Sequence, residues 1–139
     1  VPVESRTIRL STRGFCDVVD ITPEIESALA GQSLSDGVIT LFVAGSTAGL
    51  TTLEYEPGCV QDLQDALERL LPQAAHYAHN ARWGDGNGFS HIRAALLGPS
   101  LQVPFSGREL NTGTWQQVVL VDFDNRPRQR KVLLQFIGE

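Results

Sequence analysis

From Arg6 to Arg13 the chain alternates: Ile8, Leu10 and Thr12 fall on one side, Arg9, Ser11 and Arg13 on the other. That is the period of a strand with one wet face. Thr22-Pro23 opens a short helix, with Thr22 read as the cap and Pro23 at the first helical position; Ile25 and Leu29 share a face, and Gly31 can end it. Gly37–Val43 (GVITLFV) is β-branched and apolar at both parities, the pattern of a buried central strand. The Thr- and Gly-rich segment 45–54 continues toward a second extended piece. Pro57 starts the most regular helix, with Val60, Leu63, Leu67 and Leu70 at helical spacing, and Pro72 ends it. The polar, Gly-rich stretch from His79 to His91 fits no regular element. Ser90–Leu97 reads as a short helix with Ser90 as a possible cap, and 101–105, 115–123 and 131–137 as strands. The turn Asp124-Asn125-Arg126-Pro127 joins the last two. Helices set between strands, and a strand pair closed by a tight turn, predict an α+β fold rather than a regular βαβ array. With no repeat or linker, the 139 residues form one domain, 1–139.

Charge narrows the choice of partners. The net charge of −5 is wrong for a general nucleic-acid binder, which needs a basic surface to meet phosphates. Among the 11 basic residues only Lys131 is lysine. Arginine is the better partner for planar anions such as carboxylate and phosphate. Cys16 and Cys59 show no CxxC spacing and read as free, buried thiols. No apolar run is long enough for a membrane span, and VPVESRTIRL is not a signal peptide, so a cytoplasmic protein without membrane contact is expected.

The chemistry concentrates in the irregular stretch. His79 and His91 bracket a loop holding Asp85 and Asn87, and imidazole with carboxylate can hold zinc or a similar ion. The spacing matches no standard zinc motif, and the same rings can equally hydrogen-bond within the loop. His76, near the end of the long helix, suits the helix dipole. Gly84-Asp85-Gly86-Asn87-Gly88 precedes a helix and can present backbone amides to an anion, or serve only as a tight turn. Arg126, Arg128 and Arg130 recur at period two. Such neighbours are relieved by a bound phosphate, by acids of another subunit, or by solvent on an exposed face. Trp115 reads as core or subunit interface rather than a stacking platform.

The segment HNARWGDGNGFSHIRAALLGPSLQVPF, then GTWQQVVLVDFDNRPRQRKV, with GSTAGLTTLE before them, resembles the YjbQ-like family, often labelled secondary thiamine-phosphate synthase. The resemblance spans Ile8 to Gly138. It implies a compact β-sandwich-like sheet with flanking helices, assembled as a homotrimer. The implied activity joins a pyrimidine diphosphate to a thiazole phosphate, giving thiamine phosphate and pyrophosphate. Carried over by position, Glu54, His79, Asp85 and His91 would transfer protons or hold a divalent ion (zinc or magnesium, with His79 and His91 as ligands). Gly86, Asn87, Gly88 and Arg130 would contact phosphate. Many members carry His-Thr where this chain has Gly45-Ser46, so a third imidazole is missing here. The alternative reading is therefore a trimer that binds a metal or a small phosphorylated metabolite without efficient catalysis. Two-sided apolar strands such as GVITLFV and VVLVDF also suggest cover from a neighbouring subunit, with the site at that boundary.

Overall fold

A computed structural model describes residues 1–139. Eight strands and four helices follow one another in the order β1 Val3–Thr12, β2 Asp17–Asp20, α1 Thr22–Ala30, β3 Gly37–Val43, β4 Ala48–Leu53, α2 Pro57–Leu70, α3 Ala78–Trp83, α4 Gly88–Leu97, β5 Ser100–Ser106, β6 Glu109–Leu110, β7 Gln117–Asp122 and β8 Arg128–Gly138. The strands form a five-stranded sheet, β1-β8-β3-β5-β6, and a three-stranded sheet, β2-β7-β4. All pairings are antiparallel. The fold is α+β, a sandwich with flanking helices.

The core follows from strand parity. Ile39, Leu41 and Val43 of β3, with Val132, Leu134 and Phe136 of β8, meet Leu50 of β4 and Val118 and Leu120 of β7. Ile25 and Leu29 of α1 belong to the same cluster. The opposite face of β7 (Val119 and Val121), continued by Phe123, packs on Leu67 of α2 and Ala94 of α4. The two-sided strand VVLVDF is thus covered within its own chain. GVITLFV is central but buried on one face only: Phe42 is 44% exposed on the other.

Several local expectations change. Thr22 is not the cap of α1; Ile21 holds that place, the Asp20 carboxylate accepts from the Thr22 amide, and the Thr22 hydroxyl accepts from the Val118 amide. Glu56 caps α2 by accepting from the amides of Gly58 and Cys59, with Pro57 in the first turn as expected. Helix α2 stops at Leu70, so His76 lies in an exposed loop beyond reach of its dipole. The stretch after His76 contains α3, and α4 starts two residues before Ser90. Trp115 lies ahead of β7 and is 73% exposed, so it is not core. Cys16 is buried, Cys59 only partly so, and both are free thiols. No helix is long and apolar enough to cross a membrane.

Candidate functional site

One end of the sandwich gathers the chemistry. Here β7 leaves the small sheet, β8 enters the large one, β1 ends, β4 begins and α4 starts. Three buried polar layers can be followed outward from the core.

The deepest is an ion-pair network. Asp122 and Asp124 have no exposed surface, and Arg130 is 7% exposed. Arg130 donates from Nε to Asp122 Oδ2 (2.6 Å) and from Nη2 to Asp122 Oδ1 (2.8 Å), a bidentate fork. Its Nη2 also donates to Thr47 Oγ1 (2.7 Å), whose hydroxyl donates to Asp124 Oδ2 (3.1 Å). The Thr12 hydroxyl donates to Asp122. Arg128 donates from Nε to Asp124 Oδ2 at 2.7 Å. The like charges at positions 128 and 130 are therefore relieved by acids of the same chain, placed just before the turn between β7 and β8. Burial pushes the Asp124 carboxyl up, but hydrogen bonds from Asn87, the Asn125 amide, Arg128 and Thr47 outweigh it and leave the group below its ordinary value.

The middle layer is Asn87, 6% exposed, which donates from Nδ2 to Asp124 Oδ1 at 3.2 Å. Its Oδ1 is buried and has no partner. Asn125 ties the neighbouring loop down by donating to the Asp85 carbonyl at 2.9 Å. Gly88 is a packing residue: a Cβ there would stand 2.6 Å from Tyr77 Cβ, and its amide donates to Asn80 Oδ1 at 2.8 Å. It is thus unavailable to a phosphate, unlike the exposed Gly86.

The outer layer is the imidazole pair. The His79 and His91 rings lie 4.3 Å apart between centroids, tilted by 39°. His79 Nδ1 is 3.3 Å from Asp85 Oδ1 but makes no hydrogen bond, so this buried nitrogen also lacks a partner. Burial, then the neighbouring His79, holds the His91 imidazole below its ordinary pKa, against the pull of Asp124 and Asp85. His91 also borders a cleft of about 240 Å³ with Gly45, Ser46, Ala48, Ala94, Ala95 and Pro99. Helix α4 sits close to β4 because Gly49 has no Cβ to meet Leu97 and the Gly98 carbonyl, each 2.9 Å away.

The structure thus unites His79, Asp85, Asn87, His91 and Arg130. It does not unite Glu54 with them. Glu54 follows the far end of β4, where Leu53 pairs with Gln117. A six-residue strand at ~3.3 Å per residue puts roughly 20 Å between that end and Thr47. Glu54 is exposed there, beside the turn in which Gln116 donates to Thr52. No group of three or more His, Cys, Asp or Glu side chains is arranged as a metal-binding cluster. Sequence reading missed Asp122, Asp124 and Thr47. Asp122 and Asp124 flank Phe123 at the foot of the most apolar strand, and carboxylates in that setting are a signal of pairing.

Together these features define an antiparallel α+β sandwich, one end of which carries two neighbouring, tilted imidazoles near a buried Arg–Asp network. The chain belongs to the family described as UPF0047 protein YjbQ-like, whose model matches residues 6–139. It is 38% identical over 120 residues to a UPF0047 protein of Mycobacterium tuberculosis, covering 86% of this chain and 88% of the relative. A UPF0047 protein of Archaeoglobus fulgidus is 31% identical over 128 residues, covering 92% and 97%. The crystal structure of a YbjQ-like protein of unknown function from Sulfolobus solfataricus superposes with a TM-score of 0.93 at 29% identity, covering 99% of each chain.

Proposed function

We propose that the protein binds a small phosphorylated metabolite at the imidazole end of the sandwich, without efficient turnover. One observation carries this reading. The two buried side-chain polar atoms that lack a hydrogen-bond partner, Asn87 Oδ1 and His79 Nδ1, both fall in this one site. Leaving such an atom unpaired costs about 1–3 kcal/mol, and a ligand that pairs with it recovers that cost. The guanidinium of Arg130 supports an anionic ligand. Gly45, standing where many relatives carry histidine, argues for binding over chemistry.

Mass spectrometry of the natively purified protein tests the reading, together with an assay on the pyrimidine diphosphate, the thiazole phosphate and magnesium. A retained phosphorylated compound, and product no higher than in a His79→Ala, His91→Ala control, is the expected result. Product well above that control would replace the binding reading with the transferase one, in which the C–O bond to the diphosphate breaks as the C–N bond to the thiazole forms. A protein that retains and binds no phosphorylated compound would remove both.

The same proposal places the protein in the cytoplasm, where two free thiols stay reduced, as a homotrimer that binds no nucleic acid. The family resemblance supports the trimer. So do Phe42 and Leu133, 44% and 45% exposed and paired on the outer face of the large sheet.

A further inference from the structure

The phosphorylated-ligand reading leaves open where the phosphate sits. The loop 84–88 is a poor seat. The Gly88 amide is committed to Asn80, and the Asn87 side-chain amide to Asp124. The connection from β3 to β4 differs. The amides of Gly45 and Ser46, both exposed, and of Thr47 donate to no backbone carbonyl of the chain. Gly45 and Ser46 line the cleft that His91 borders.

Arg130 reaches the same place from below. Its Nε and Nη2 are fully engaged with Asp122 and Thr47, while Nη1 makes no hydrogen bond. A Cβ on Gly45 would stand 2.8 Å from that Nη1. The guanidinium cannot swing aside, because three bonds of 2.6, 2.8 and 2.7 Å clamp it. Gly45 has no left-handed φ that would call for glycine, so its missing side chain serves the contact rather than the turn.

We propose that the β3–β4 connection is the phosphate seat, built from the Nη1 edge of Arg130 and the free amides of Gly45, Ser46 and Thr47, and that Gly45 is the residue that opens it. Asp122 neutralises one edge of the guanidinium and orients the other. A phosphate oxygen takes a charge-assisted hydrogen bond from Nη1 and further ones from backbone N–H groups, a donor set that suits a tetrahedral anion better than a planar carboxylate. His91 lines the same cleft, next to whatever the phosphate is attached to.

The test is a titration of the ¹⁵N-labelled protein with inorganic pyrophosphate, followed by amide shifts. Saturable changes are expected at Gly45, Ser46 and Thr47, with acetate far weaker at the same amides. Gly45→Ala should lower the melting temperature, because its Cβ meets the clamped Nη1, and, measured below that temperature, lose affinity at least about tenfold, the equivalent of one charge-assisted hydrogen bond. Saturable changes centred on residues 84–88, with Gly45→Ala unaffected, would overturn the seat and leave phosphate binding intact. Acetate matching pyrophosphate would overturn the phosphate assignment. No saturable binding would end both the seat and the reading it rests on. If Gly45→Ala did not fold, the shift map of the unmodified chain would still decide.

Discussion

A Cβ added at Gly88 would stand 2.6 Å from Tyr77 Cβ and 2.9 Å from Asn80 Oδ1, with neither neighbour free to retreat from the α3–α4 junction. Gly88→Ala should therefore cost about 1–3 kcal/mol, as overpacking does, read as a lower urea midpoint at unchanged slope. His91 is the residue whose protonation reports on the site. Its pKa lies below the ordinary histidine value because burial, and then His79, disfavour the imidazolium. The folded state thus binds fewer protons than the unfolded state as pH falls through the ordinary histidine range. This penalty is absent above the unfolded value, grows as pH falls through it, and is complete below the folded one. An NMR titration should find His91 below a model histidine, and His79→Gln should raise it partway, burial being the larger cause. A His91 pKa unchanged by His79→Gln would contradict the ring contact. At this scale the sequence was informative about residue types and silent about duties: Gly88 looked like part of an anion loop because its spacing was right, yet only the helix crossing assigns it to packing.

The elements fix the site through register. Strand β8 reads as arginines at period two, and that much is visible in the residues. Which acids meet them depends on where β7 ends and how its turn folds, a tertiary outcome that no local pattern carries. The pairing of Asp122 and Asp124 with Arg130 and Arg128 follows from an eight-residue and a four-residue separation across that turn. Removing one member of such a buried pair leaves the other charge uncompensated, so Asp122→Ala should cost about 3–5 kcal/mol in denaturant unfolding. Asp122→Leu with Arg130→Met removes both charges and should recover most of that loss while abolishing pyrophosphate binding. A double variant as unstable as the single one would mean that packing, not charge, sets the cost. Helix α3 escaped notice for a related reason: its six residues bury no side chain fully and have no apolar stripe, so its order comes from α4 and from the Tyr77 and Asn80 contacts. Glu54 was grouped with the histidines by motif order alone, and the length of β4 separates them.

At the scale of the whole molecule, several large apolar side chains remain exposed after the core is closed, and two groups of them bear on assembly. One is the outer face of the five-stranded sheet, where Leu133 pairs with both Phe42 and Thr7 beside a groove of about 220 Å³. The other is the outer side of α4, where Leu96 is 71% and Ile92 44% exposed, adjoining the cleft. A wet face is ordinary for an antiparallel sheet, but paired large side chains on it are less so. A closed ring of three copies uses heterologous contacts, in which one patch meets a different patch on the next copy. The proposed trimer therefore needs two unlike patches per chain, and these two are the pair we assign to it. Light scattering of the unmodified protein should give close to three times the 15.2 kDa chain mass at micromolar concentration. Leu133→Lys and Leu96→Lys, made separately, should each give monomers, because every contact in the ring loses one of its sides. Mixing the two variants leaves one intact pair of patches, so a species of two chain masses should appear that neither variant forms alone. A monomeric unmodified protein would remove the trimer, and two monomeric variants that fail to associate on mixing would remove the pairing of these patches.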